Sequence, residues 1–179
     1  MDRQKIRFTV EMISKGVNCP DTSSLGRLFD GVSSIVGIRD RVGFEGQAAL
    51  ALEMLAVESE EIYDYQWVSE DSYRILPEPI IHGVTQDVKN GVSPAVISGK
   101  FHETLIRMFS ELCTVIGKDQ GLNRVALSGG VFQNSYLLTG LIHALEIKGF
   151  TVYTHSRVPA NDGGIALGQV VSAAAVSGE

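Results

Sequence analysis

The chain has little of what secreted, membrane or nucleic-acid-binding proteins rely on. Its 179 residues include only two cysteines, Cys19 and Cys113, far apart and without a CxxC pair. That pattern excludes a zinc ribbon and a CxxC redox motif, and free thiols in a reducing, cytoplasmic compartment are the expectation. Five prolines and no low-complexity tract exclude a disordered chain. No apolar run approaches the roughly 18 residues that span a bilayer, and the opening MDRQKIRFTV lacks a signal-peptide core, so no membrane partner is expected. Fifteen basic residues stand against 21 acidic ones, a net charge of −6, with no basic cluster to form a footprint for nucleic acid. Histidine is also sparse. His82, His102, His143 and His155 show neither HxxxH nor HExxH spacing, so the chain holds no self-sufficient histidine metal site. His102 sits one residue off an apolar stripe and reads as structural.

What is present is a chain that is 44% hydrophobic, enough for one core or one lobe of a larger protein. Residues 22–37, TSSLGRLFDGVSSIVG, set Leu25, Phe29, Val32, Ile35 and Val36 on one helical face, with Thr22 or Asp21 as cap and Gly37 as stop. Residues 46–61 continue as an alanine- and leucine-rich helix ending in ESEE. YDYQWV (63–68) and SYRILP (72–77) predict an antiparallel hairpin, with Trp67 as a core residue. Ser93-Pro94 opens a helix that runs to Gly117. From there strand 124–128, helix 133–148, strand 151–154 and helix 162–176 alternate. Short connections in that order predict an α/β layer with neighbouring parallel strands, mixed if the hairpin joins it. A helical portion (1–61) and an α/β portion (62–179) are expected within one compact unit.

Three stretches carry candidate chemistry. In LSGGVFQN (127–134), Gly129 and Gly130 at a strand-to-helix junction either make a tight turn, with Asn134 as a cap, or let a ligand lie on the backbone. In the second case the helix N-terminus receives an anion and Asn134 reaches a ribose or base edge. This is neither a GxxxxGK[ST] loop nor GxGxxG. VPANDGGIALGQ (158–169) repeats the arrangement. There Asp162 is an N-cap or a carboxylate aimed into the cleft beyond the strand ends, with Gly163 and Gly164 beside it. Finally, Ser23, Arg27, Asp30 and Ser34 follow steps of four, three and four. They form either a solvated face or a stripe turned to an anionic substrate. No Ser–His–Asp or Cys–His set can be assembled from order alone, and Cys19, before a proline, is a weak nucleophile.

Taken in order, NCPDTSSLGRLFDGVSSIVG, FEGQAALALEMLA, GKFHETL, VALSGGVFQN and HSRVPANDGGIALGQ resemble the C-terminal end of the HypF carbamoyltransferases, which mature nickel–iron hydrogenases. The pattern is also similar to TsaD, the tRNA threonylcarbamoyladenosine transferase. Gly26 and Asp30 match the TsaD helix, while Ser23 and Arg27 stand where it has acidic residues, which favours HypF. The resemblance implies the second lobe of an actin, Hsp70 and hexokinase-like (ribonuclease H-like) fold, with a mixed sheet flanked by helices. It implies binding of ATP or carbamoyl-adenylate through Ser23, Gly26, Arg27, Asp30, Gly129, Gly130, Asn134, Gly163 and Gly164. Asp162 would be one ligand of a divalent metal. The carbamoyl group would pass to the C-terminal cysteine of HypE. Full-length members add an acylphosphatase-like domain, zinc-finger motifs, an adenylate-forming domain and a first lobe with a histidine pair, none of which is in this sequence. The expectation is therefore a fragment or half-protein, inactive alone, whose apolar inter-lobe face could pair with the missing lobe or with a second copy.

Overall fold

Capping chemistry and local packing set where each helix begins and ends. The computed structural model describes residues 3–178. Helix α1 (Arg3–Ser14) buries none of its residues. Helix α2 (Leu25–Ile35) begins at Ser24, whose hydroxyl accepts the Arg27 N–H at 3.4 Å. The cap expected at Thr22 or Asp21 therefore falls two or three residues later, because the Thr22 hydroxyl accepts the Ser24 N–H at 3.2 Å and completes a side-chain turn before the helix. Gly37 follows the helix with a positive φ of 80°.

Helix α3 (Gln47–Leu55) stops well short of residue 61. Two effects end it. ESEE would place negative charge at the negative end of the helix dipole. In addition, the extended chain after Ala56 is held against the later helix α5 (Pro94–Gln120): the Val57 N–H donates to the Ala95 carbonyl at 3.4 Å.

Strands β1 (Gln66–Ser69) and β2 (Tyr73–Leu76) form the antiparallel hairpin, with Trp67 opposite Ile75. Trp67 packs on the core beside Tyr65, their rings stacked at 6.0 Å. Helix α4 (Glu78–Lys89), which the sequence reading left out, follows with Pro79 in its first turn and Ile80 and Val84 fully buried. Helix α5 then starts as expected at Ser93, whose hydroxyl accepts the Val96 N–H, and runs to Gln120 before Gly121 ends it in the left-handed region. At 27 residues it is about 40 Å long, and it is the element around which the others gather.

Strand β3 (Arg124–Leu127), a 3-10 turn (Gly130–Gln133), α6 (Ser135–Ile147), β4 (Thr151–Thr154), a second 3-10 turn (Asp162–Gly164) and α7 (Ile165–Ser177) complete the chain. β3 and β4 are parallel, Ala126 opposite Tyr153. The α/β class stands, but the single mixed sheet does not. Among the described residues the hairpin and the parallel pair are separate two-stranded sheets. The hairpin's inner face is taken by helices: Trp67 and Ile75 pack on the helical core, and the Tyr65 hydroxyl donates to Glu111 of α5 at 2.7 Å.

The main core joins Phe29 and Val32 of α2, Leu52 of α3, Tyr63 from the extended segment before β1, Ile80 and Val84 of α4, Ile97, Phe101, Leu105 and Met108 of α5, and Leu137 of α6. It takes residues from both sides of position 61. A smaller cluster of Leu127, Leu141 and Leu145 seats β3 on α6. No helix among the described residues is long and apolar enough to cross a membrane.

Candidate functional site

Both glycine-containing turns lie just beyond the C-terminal ends of the parallel strands, and they are fastened together. The Gly129 N–H donates to the Ala160 carbonyl at 2.8 Å. Gly129 has φ 113°, a conformation side chains rarely adopt, and a Cβ there would meet nothing within 4 Å. At Gly130 a Cβ would lie 3.8 Å from Asn161 Cβ, with no closer neighbour. At both glycines the space that a side chain would fill is open, as close approach of a ligand requires. Gly164 differs, since a Cβ there would fall 2.7 Å from the Pro159 carbonyl oxygen. Its missing side chain makes room for its own loop. Nor are the second turn's amides free: Gly163 N–H donates to Asn161 Oδ1 at 3.1 Å and Gly164 N–H to the Asn161 carbonyl at 3.0 Å.

Asn161, then, is the cap of the second turn, and Asp162 is left exposed without capping duty. Of the two readings of Asp162, the cap falls away and a carboxylate facing solvent remains. Among the described residues no three His, Cys, Asp or Glu side chains gather as a metal cage. One uncommitted carboxylate fits a divalent ion only as a single ligand, shared with substrate phosphate and further donors.

The start of α6 is also occupied: of the two readings of Asn134 the cap is the one observed, and the contacts of this helix start with α3 and α5 were not legible in the sequence. Asn134, only 7% exposed, caps it: Oδ1 accepts the Leu137 N–H at 2.8 Å. Its amide nitrogen lies 2.8 Å from His102 Nε2. The next amides, of Ser135 and Tyr136, donate to Glu53 Oε1 at 2.7 and 3.4 Å. Thus the anion expected at this helix N-terminus is a side chain of α3, and both polar atoms of Asn134 face protein. Contact of Asn134 with a ribose or base would require that network to open.

On α2 the expected four-residue stripe is reduced. Ser23 lies before the helix and is exposed, so Arg27, Asp30 and Ser34 are what remains on the helix. Arg27 Nη1 stands 3.4 Å from Asp30 Oδ2 as an exposed surface pair, and the Ser34 hydroxyl donates to Asp40 at 2.8 Å. Gly26 is half-buried in the first turn. α2 packs against the 3-10 turn that follows Gly129, so this helix and both glycine turns belong to one region of the fold.

One pair was missed. His155 Nε2 lies 2.8 Å from the Ser128 hydroxyl, bridging the exits of β4 and β3 beside Gly129. Each residue directly follows its strand, or nearly so, and parallel pairing brings them together. Only the register, with Leu127 opposite Thr154, could have revealed it. Cys19 is exposed with its thiol toward the Val17 carbonyl, and Cys113 is half-buried, its thiol pushed up by burial.

A family model described as the second subdomain of the Kae1-like domain of carbamoyltransferases matches residues 1–169. The chain belongs to the HypF carbamoyltransferase family. It is 38% identical over 156 residues to carbamoyltransferase HypF of Synechocystis, covering 86% of this chain and 20% of that protein. The HypF of Rhodobacter capsulatus is 37% identical, covering 92% and 21%. A crystal structure of full-length HypF in a phosphate- and nucleotide-bound form superposes with a TM-score of 0.95 at 45% identity, over 98% of this chain and 23% of that one. The HypF of T. kodakarensis gives 0.80 at 26% identity, over 93% and 21%. The chain thus spans about a fifth of the length of these family members, and the fold is the Kae1-like one expected of the family.

Proposed function

We propose that this chain is the nucleotide-facing half of a carbamoyltransferase site. It receives carbamoyl-adenylate, or ATP, on the turn at Gly129–Gly130, and the complete site passes the carbamoyl group to the C-terminal cysteine of HypE. The observation that carries this reading is the open space at Gly129 and Gly130, in a turn fastened to the Asp162 loop at the ends of the parallel strands. Membership of the HypF family supports it, as does the nucleotide-bound form of a relative with the same fold.

In that reaction the cysteine thiolate attacks the carbamoyl carbon. A C–S bond forms, the C–O bond to the adenylate phosphate breaks, and AMP leaves with the electron pair. This chain's part is binding and orientation. The glycine turn lets the adenylate lie against the backbone, the exposed Arg27 guanidinium is available to an anionic group, and Asp162 supplies one carboxylate toward a divalent ion. Such an ion, when bound, neutralises phosphate charge. The remaining donors come from outside this chain, so transfer by the chain alone is not expected.

A second reading, a binding or dimerisation module, is favoured by one feature: α7 is rich in apolar residues and buries none of them. Calorimetric titration with ATP, ADP and AMP, with and without magnesium, separates the two. Binding that Gly130→Val weakens, and whose metal dependence disappears in Asp162→Ala, is the expected result. No binding at millimolar nucleotide, by this chain or by a longer family protein containing it, would overturn the first reading.

A further inference from the structure

His102 is fully buried in the middle of α5, its ring 5.4 Å from that of Phe29, 5.9 Å from Phe101 and 5.0 Å from Tyr136. A leucine would fill such a place more cheaply, so the two ring nitrogens need a reason. Nδ1 lies 2.8 Å from the Ser98 carbonyl, which can only accept, so Nδ1 carries the proton. Nε2 is then a bare lone pair, and the group 2.8 Å from it is the Asn134 amide, which must present its N–H. That fixes the amide the other way round at its far end, with Oδ1 accepting the Leu137 N–H. Asn134 in turn closes the 3-10 turn, its backbone N–H donating to the Val131 carbonyl at 3.1 Å. Ser98, next in the chain of contacts, donates its hydroxyl to the Leu52 carbonyl of α3 at 2.6 Å.

We propose that His102 is the positioning residue of the glycine turn: acting through Asn134, it holds residues 129–134 in the form that receives the nucleotide, and it does so only as the neutral Nδ1–H tautomer. The ligand in this inference rests on the function proposed above; the turn geometry does not. A proton on Nε2 would face the Asn134 N–H. To avoid it the amide must rotate, giving Oδ1 to the imidazole and its NH2 to the Leu137 N–H, and the cap of α6 is lost. Burial holds the imidazole below its ordinary pKa, against the Ser98 bond and the Glu53 carboxylate of α3, which pull it upward. Of the other elements around the ring, α2 presents Phe29, and α6 presents Tyr136, whose hydroxyl is tied to Glu103 of α5 at 2.9 Å. The cap is therefore intact at neutral pH and is lost as pH falls through the depressed value.

The test has a structural readout and a binding readout. Nitrogen-15 NMR of the imidazole reads the tautomer directly, and the Gly129 and Gly130 amide resonances are followed through an acid titration. ATP affinity is measured for wild type, His102→Gln and His102→Leu, with melting temperatures recorded beside them. His102→Gln keeps an acceptor toward Asn134, so affinity should stay within about threefold and lose its acid-side fall, whereas His102→Leu strands a buried N–H and should weaken ATP by about tenfold. Both glycine amides should move with the protonation of His102 in wild type and stay fixed over that range in His102→Gln. An Nε2–H tautomer, or glycine amides indifferent to protonation and to His102→Leu, would overturn the proposal. If wild type binds no ATP at all, the nucleotide reading fails while tautomer and amide shifts still decide the role of His102.

Discussion

Glu53 on α3 accepts the backbone N–H of Ser135 at the start of α6 across 82 residues of chain, at 2.7 Å. A carboxylate at a helix N-terminus satisfies orphan amides and meets the positive end of the dipole. Glu53→Ala should lower the free energy of unfolding by about 1–2 kcal/mol, and Glu53→Gln by less, since an acceptor remains. Urea denaturation measures both. Inorganic phosphate should restore part of the loss in Glu53→Ala, by entering the vacated position, and do little for wild type.

Asn161 and Asp162 are neighbours with separable duties. Asn161→Ala removes the side-chain cap of the second turn and should cost about 1 kcal/mol. Asp162→Ala, at an exposed carboxylate, should leave stability within about 0.5 kcal/mol while removing the magnesium dependence of nucleotide binding. Equal destabilisation by the two would show that Asp162 serves the loop.

Much of the fold was legible because its signals are local. Ser93-Pro94, the hairpin turn and the strand–helix–strand–helix alternation after residue 123 each declare themselves within a few residues. Helix α4 was left without a reading: prolines ordinarily interrupt helices, whereas here Pro77 sits at the N-cap and Pro79 in the first turn, where no backbone N–H is required. The end of α3 was missed for a different reason: it depends on Val57 reaching Ala95, which no window around residue 56 contains. At the site, the glycines were visible as glycines. What encloses them was not, since Glu53, His102 and Ser128–His155 converge only through tertiary packing.

Gly99 and Gly140 offer a graded test of packing. A Cβ on Gly99 would stand 2.0 Å from the Val57 carbonyl oxygen, a backbone atom in the segment that ends α3. On Gly140 it would stand 2.3 Å from Ile106 Cδ1, the movable tip of a side chain. Gly99→Ala should therefore cost about 2–3 kcal/mol or more, and Gly140→Ala about 1 kcal/mol, by thermal or urea unfolding. The reverse order would mean that the Val57 segment yields more easily than the α5–α6 contact.

Tyr136 and Tyr65 donate to Glu103 and Glu111, and burial first, then those carboxylates, push each phenol up to about 12. Their folded pKa values lie above the unfolded value near 10. The stability they contribute is therefore present below pH 10 and is lost as pH rises from 10 toward 12. Wild type should lose stability across that window more steeply than Tyr136→Phe, as urea denaturation at pH 9, 10 and 11 would show.

The nakedness of α7 has a thermodynamic corollary. Its 13 residues bury nothing, and a helix of that length draws little from propensity alone in water. Its folding is thus conditional on whatever lies against it, so its amide protons should exchange far faster than those of α5 when the chain is alone. Gly168, at which an added Cβ meets only open space, becomes a gauge of that condition. Gly168→Ala should raise helix content in the isolated chain, and the gain should vanish or reverse once another surface needs the room the glycine leaves.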